Sequence, residues 1–178
     1  MRMTNSKKMA LGGILGALAI VLMLMGSIIP FATFAAPAMA GALIMPIAIE
    51  FGLGAGWLLY GAISLLSLFM VADKEMAFMF VFLMGFYPLL KAVFEHIKPK
   101  ILCLAAKLAL FNVCILGMYS VMIYLFPISY VVEEFAAYSI WYVVGLVALG
   151  NMVFVIYDIA LSRLIDLYVI KLRPKLFK

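Results

Sequence analysis

Six apolar segments, joined by short connections, make up most of this 178-residue chain. They cover residues 9–29, 37–49, 53–72, 76–90, 101–126 and 136–161. A helix needs about 20 apolar residues to cross roughly 30 Å of hydrocarbon, so the segment 37–49 is short for a crossing. The pattern predicts an all-α polytopic membrane protein, built as a single bundle of six transmembrane helices.

The composition excludes most soluble functions. Hydrophobic residues account for 69% of the chain and charged residues for 12%, and the mean hydropathy is +1.26. These values lie outside the range of soluble domains, and the bundle leaves no room for a soluble catalytic or nucleotide-binding domain. The net charge of +5 comes from residues that border the apolar segments, which favours contact with anionic lipid headgroups over nucleic acid.

The distribution of the thirteen Lys and Arg residues orients the bundle. If the six segments alternate across the bilayer, only Lys74 lies on the side opposite all the others. By the positive-inside rule the basic side is the cytoplasm, so both termini are predicted to be cytoplasmic. The outer loops are then 30–37, 73–75 and 127–135. Residues 162–178 are predicted to form an amphipathic, basic tail on the inner leaflet.

Four polar residues lie within or at the edges of the apolar segments: Lys107, Asn112, Asn151 and Asp158. Unpaired charge is costly at such positions. From their depths, we expect an ion pair between Lys107 and Asp158 and interhelical hydrogen bonds between Asn112 and Asn151. Glu50 and Lys91, at the inner boundary, are expected to form a further structural pair. The sequence leaves open whether the intramembrane residues are functional or structural.

Aromatic and polar residues gather on the predicted outer side. Phe34 lies in the first outer loop, and the start of the last segment carries a larger group: Tyr130, Glu133, Glu134, Tyr138, Trp141 and Tyr142. Such a group suits a small, flat ligand. It equally suits an interfacial aromatic belt that binds no ligand. Lys74 either meets a negative group of a ligand or, as we expect, pairs locally with Asp73 and Glu75.

The chain offers no catalytic constellation. Glu133 and Glu134 resemble the paired glutamates of an intramembrane protease family, but the arginine of that motif is missing and His96 is predicted on the opposite face. One histidine and no CxxC pair argue against a metal site. We therefore predict a protein that is not an enzyme, with no catalytic residues, no cofactor and no metal.

Small residues crowd the inner half of the first segment. Gly12 with Gly16, and Gly13 with Ala17, form small-xxx-small pairs that allow another helix to approach closely. The sequence leaves open whether that helix belongs to this chain or to another protein.

The length, the six predicted crossings and the opening KMALGGILGALA (residues 8–19) resemble the S-components, the substrate-binding subunits of energy-coupling factor transporters. In that family a small-residue motif of the first helix docks on a coupling transmembrane subunit driven by two ATPases. The resemblance implies that Gly13 and Ala17 hold the docking positions, with Gly in place of the first Ala.

The resemblance also implies a function. The chain would be a multi-pass protein of the bacterial plasma membrane that captures a small organic micronutrient, a vitamin or a precursor, from outside. Candidate substrate contacts are Phe34, Lys74, Glu134, Trp141 and Asn151. ATP hydrolysis is expected in the partner subunits, since this chain lacks a GxxxxGK[ST] sequence. Alternatives are a scaffold of cell-wall elongation, similar to the small rod-shape-determining membrane protein, or another small membrane carrier.

Overall fold

The structure, a computed structural model, describes residues 5–29, 32–95, 98–124 and 139–176. Its elements are α1 (Asn5–Gly26), α2 (Ala35–Ala42), α3 (Met45–Phe51), α4 (Leu53–Met70), α5 (Lys74–Met79), a first π-helical segment (Phe80–Met84), α6 (Tyr87–Phe94), α7 (Lys100–Tyr124), α8 (Ile140–Leu167), a second π-helical segment (Tyr168–Leu172) and α9 (Arg173–Leu176). The all-α prediction is confirmed for these residues.

Within the described residues, five helical stretches are long and apolar enough to cross a membrane: Lys8–Gly26, Leu53–Met70, Lys74–Phe94, Lys100–Tyr124 and Trp141–Lys171. The segment predicted at 37–49 is the shorter apolar stretch Ala35–Phe51, made of α2 and α3. The stretch Lys74–Phe94 runs past the predicted end at residue 90, and the stretch Trp141–Lys171 runs past the predicted end at residue 161. The tail predicted to start at residue 162 therefore begins as a direct continuation of α8.

The second apolar stretch is broken for local reasons. Pro46 lies in the first turn of α3, where its missing N–H costs no helical hydrogen bond, so a new helix begins there. α3 ends at Gly52, whose φ of 90° is a conformation that side-chain-bearing residues rarely adopt. α4 begins at Leu53, so this single glycine connects the two helices. Gly41 lets α2 lie directly against the first π-helical segment, because an added Cβ would collide with the Met84 carbonyl.

One end of the bundle collects basic residues, and we call it the basic end. The Lys8 ammonium lies 5.2 Å from the centre of the Phe51 ring, which brings the start of α1 to the end of α3. Arg173 Nε lies 2.8 Å from Glu50 Oε1, which adds the end of the last helical stretch. α1, α3 and the carboxy-terminal turns therefore meet at the basic end.

The other end, the acidic end, is defined by Asp73 and Glu75. Thr33 Oγ1 donates to Asp73 Oδ2 at 3.0 Å, so the residues just before α2 meet the start of α5. Tyr119 Oη donates to Glu75 Oε1 at 2.6 Å, which places the last turns of α7 at the same end. Although it is short, the stretch Ala35–Phe51 runs from the acidic end to the basic end.

The stretch Lys74–Phe94 lies at the centre of the bundle. Of its 18 most apolar consecutive residues, 61% are buried. One apolar cluster joins α1, α2 and α4 to α5, and a second joins α5, the first π-helical segment and α6 to α7 and α8. The outer faces of α7 and α8 expose large apolar side chains such as Leu116 and Met152. Exposed apolar surface of this extent is rare on soluble monomers and fits contact with lipid.

Candidate functional site

A buried charged cluster links three helices in the half of the bundle nearer the basic end. Asp158 of α8 forms ion pairs with Lys91 of α6 and with Lys107 of α7, whose Nζ lies 2.9 Å from Asp158 Oδ2. Tyr87 Oη also donates to Asp158 Oδ1, at 2.5 Å. The predicted pair between Lys107 and Asp158 is therefore confirmed, as one part of a larger cluster.

Lys91 is the residue that the sequence placed wrongly. The expected pair between Glu50 and Lys91 is not formed, since Lys91 is 1% exposed and binds Asp158 while Glu50 binds Arg173. Lys91 Nζ also donates to the Asp158 backbone carbonyl at 2.9 Å. The physical reason is that α6 continues to Phe94, which carries Lys91 into the bundle instead of leaving it at the membrane boundary.

Tyr87 and Lys91 were missed as members of this cluster, although the sequence carries a signal for them. Pro88 occupies the first turn of α6 and favours a helix that begins at Tyr87 and runs on past residue 90. On that helix Tyr87, Lys91 and Glu95 are four residues apart and share one face. Lys91 Nζ lies 3.4 Å from Glu95 Oε1, as this spacing would predict.

A cavity of about 310 Å³ opens beside the charged cluster. Its described lining residues come from the end of α6, the first turns of α7 and the middle of α8: Glu95, Lys100, Cys103, Leu104, Lys107 and Asp158. The Lys107 side chain is 7% exposed and lies at the base of the cavity. The Lys100 side chain is exposed and lies at the rim of the cavity. The cavity therefore offers polar and charged groups to a small ligand near the basic end.

The two intramembrane asparagines bind each other. Asn112 Nδ2 donates to Asn151 Oδ1 at 2.9 Å, and Asn151 Nδ2 donates to Asn112 Oδ1 at 3.1 Å. The expected interhelical hydrogen bonds are confirmed, and they hold α7 against α8. Asn151, a candidate substrate contact, thus already has its amide engaged within the bundle.

Two other candidate substrate contacts, Phe34 and Trp141, lie apart from the charged cluster. Phe34, just before α2, is 48% exposed, and Trp141, in the first turn of α8, is 82% exposed. Glu134 lies outside the described residues, as do Tyr130, Glu133 and Tyr138. The described residues therefore leave Phe34 and Trp141 available to a ligand or to lipid.

Lys74 stabilises the connection between α4 and α5. Its Nζ donates to the backbone carbonyls of Leu68 and Val71, each at 3.0 Å, where α4 ends. A cation is favourable there because terminal carbonyls lack helical donors. Asp73, its expected partner, instead caps α5 by accepting from Met76 N at 3.1 Å and also accepts from Thr33.

The small residues of α1 differ in their surroundings, and an added Cβ at Gly12 would have no atom within 4 Å. An added Cβ at Gly16 would lie 3.1 Å from Leu59, so this glycine packs against α4. Gly13 and Ala17 are exposed, and an added Cβ at Gly13 would have no atom within 4 Å. In the described part of the chain, the pair Gly13 and Ala17 is therefore left open to the surroundings.

Comparisons with known proteins found no match to a family model, to a curated protein or to a solved structure.

Proposed function

We propose that this chain is the substrate-capturing membrane subunit of an energy-coupling factor-type importer. It binds a small organic micronutrient, a vitamin or a precursor, at the acidic end. The observation that carries the proposal is the open face of α1. Among the described residues, no atom lies within 4 Å of a Cβ added at Gly13, and Ala17 is exposed. Such a small-xxx-small pair gains dispersion contacts from a closely approaching helix.

The proposal includes a topology of six crossings in the bacterial plasma membrane, with both termini in the cytoplasm. Two features support it. The stretch Ala35–Phe51 consists of only two short helices, yet it runs from one end of the bundle to the other. In addition, Lys8, Lys98, Lys100 and Arg173 belong to one end, as the positive-inside rule requires of a cytoplasmic face.

In this account the chain has no chemistry of its own. The coupling transmembrane subunit docks on Gly13 and Ala17, and its two ATPases supply the energy. The substrate binds among outward-facing groups at the acidic end, where Phe34 and Trp141 are exposed. Flat, exposed aromatic side chains suit an organic ring better than a hydrated ion.

Purification of the tagged full chain from its own cells tests the docking face. The wild-type protein should bring down a coupling membrane subunit with paired ATPases. Gly13→Leu should lower their recovery at least tenfold, because the added side chain prevents close approach. Gly145→Leu is the matched control, since Gly145 is also an exposed helical glycine with no atom within 4 Å of an added Cβ. Leu is a better helix former than Gly, so both variants should fold.

Two outcomes would contradict the proposal. Equal recovery of the ATPases with Gly13→Leu and with Gly145→Leu would show that this face of α1 is not the docking face. Recovery of cell-wall synthesis proteins without ATPases would favour the scaffold function instead.

A further inference from the structure

The charged cluster is not balanced within the described residues. Lys91 and Lys107 share one partly buried carboxylate, that of Asp158. The next acid, Glu95, lies 3.4 Å from Lys91, but its side chain is 53% exposed. The cavity lining carries two lysines, Lys100 and Lys107, and two carboxylates, Glu95 and Asp158. Lys91, which binds Asp158 but is not a lining residue, gives the whole cluster a third ammonium group. A surplus positive charge beside a cavity inside a membrane protein favours an anion.

Lys107 is the group best placed to bind that anion. An ammonium has three N–H donors, and the described bonds of Lys107 go to the two oxygens of one carboxylate, at 2.9 and 3.1 Å. Its side chain is 7% exposed and lines the base of the cavity. Lys100 lies seven residues earlier on α7, about 10 Å along the helix axis. The two lysines thus mark the floor and the rim of one opening.

The surroundings of the opening favour a group held at the membrane surface. Ile101 and Leu102, beside the rim on α7, are 82% and 56% exposed, as expected for side chains that meet acyl chains. Leu104 adds an apolar patch to the lining. A volume of about 310 Å³ lies at the lower end of the ~300–1,000 Å³ typical of small-ligand sites. The opening therefore suits a headgroup better than an extended molecule.

We propose that the cavity between α6, α7 and α8 binds a phosphate group, carried by the headgroup of an anionic lipid in the leaflet at the basic end. Lys107 contacts the phosphate from the base of the cavity and Lys100 from its rim, while Leu104 borders the acyl chains. Free phosphate shares this chemistry and is the second possible source. The site lies away from the acidic end, so it does not depend on the transport function.

Binding of short-chain lipids to the purified full chain in detergent tests the site. Native mass spectrometry should show saturable binding of dioctanoyl phosphatidylglycerol, and weaker binding of dioctanoyl phosphatidylcholine because choline neutralises the phosphate. Inorganic phosphate that displaces phosphatidylglycerol at similar concentrations would assign the site to free phosphate. Retention of the lipid against phosphate would assign it to the headgroup. Saturable binding of neither probe would overturn the proposal.

Lysine variants locate the binding. Lys100→Gln should weaken the Kd for phosphatidylglycerol about fivefold, the effect of one lysine near a membrane surface. Lys98→Gln is the matched control, because Lys98 is an exposed lysine two residues away that is not among the described lining residues. Lys107→Met should abolish binding, and Lys100→Gln decides the matter if that variant fails to fold. An equal Kd for wild type, Lys98→Gln and Lys100→Gln would overturn the proposal.

Discussion

At the scale of single residues, the Asp158 side chain joins three helices of the bundle. Asp158 belongs to α8, and its carboxylate accepts hydrogen bonds from the Tyr87 hydroxyl of α6 and from the ammonium groups of Lys91 and Lys107. Because it is the shared partner of two buried cations, its loss would leave both without their closest counter-charge. Removing one member of a buried ion pair typically costs about 3–5 kcal/mol.

We therefore expect Asp158→Asn to lower the free energy of unfolding by about 3–5 kcal/mol. The substitution keeps the size of the side chain and removes only its charge. Thermal unfolding of the purified protein in detergent measures the effect. Asp166→Asn is the control, because Asp166 is an exposed acid on the same helix and its loss should change little. Equal melting temperatures for the two variants would show that the charged cluster does not stabilise the bundle.

The sequence predicted part of this cluster and missed the rest for a physical reason. Lys107 and Asp158 are charged residues inside apolar segments, and the cost of burying charge makes such residues seek each other. Lys91 instead closes an apolar segment, where a lysine ordinarily reaches the membrane surface. Only the continuation of α6 to Phe94 decides between these positions, and hydropathy alone does not report where a helix ends.

At the scale of elements, the last helical stretch joins α8 to the residues that the sequence predicted as a tail on the inner leaflet. Leu161, Ile165 and Tyr168 have the spacing of an amphipathic helix. In the structure these residues continue the stripe of α8: Leu161 belongs to the second apolar cluster and Ile165 packs against it. Tyr168 is buried as well. An amphipathic pattern identifies an apolar face but not whether lipid or protein covers it.

Arg173 fastens the end of this stretch to α3. Its Nε lies 2.8 Å from Glu50 Oε1, and Glu50 is only 9% exposed although Arg173 is 49% exposed. Arg173→Ala should therefore raise the rate of amide hydrogen exchange in residues 168–176 about fivefold, equivalent to a local loss near 1 kcal/mol. Lys171→Ala is the control, since Lys171 is an exposed cation of the same turns. Equal exchange in the two variants would mean that the contact with Glu50 does not hold these turns.

At the scale of the whole molecule, the two ends of the bundle have different chemistry. The basic end joins Lys8 and Arg173 to the end of α3, whereas the acidic end joins Asp73 and Glu75 to neighbouring helices. The sequence predicted this division, because charge and hydropathy alternate along the chain. It did not predict that α2 and α3 are separate helices, although Pro46 in the first turn of α3 is a local signal for this break.

The proposed function assigns a different role to each end of the bundle. The partner subunit docks on α1 near the basic end, and the substrate is captured at the acidic end. The open face at Gly13 and Ala17 supports the first part. Capture of a small organic molecule is the central claim, and it can be measured without any partner subunit.

The most direct test is thermal unfolding of the purified chain against a panel of vitamins and their precursors. One compound or close chemical series should raise the melting temperature progressively with concentration, because a ligand at about 100 times its Kd stabilises a protein by about 2.7 kcal/mol. It should also saturate at one molecule per chain. If no compound in the panel stabilises a protein that is otherwise folded, the substrate-capturing function is contradicted.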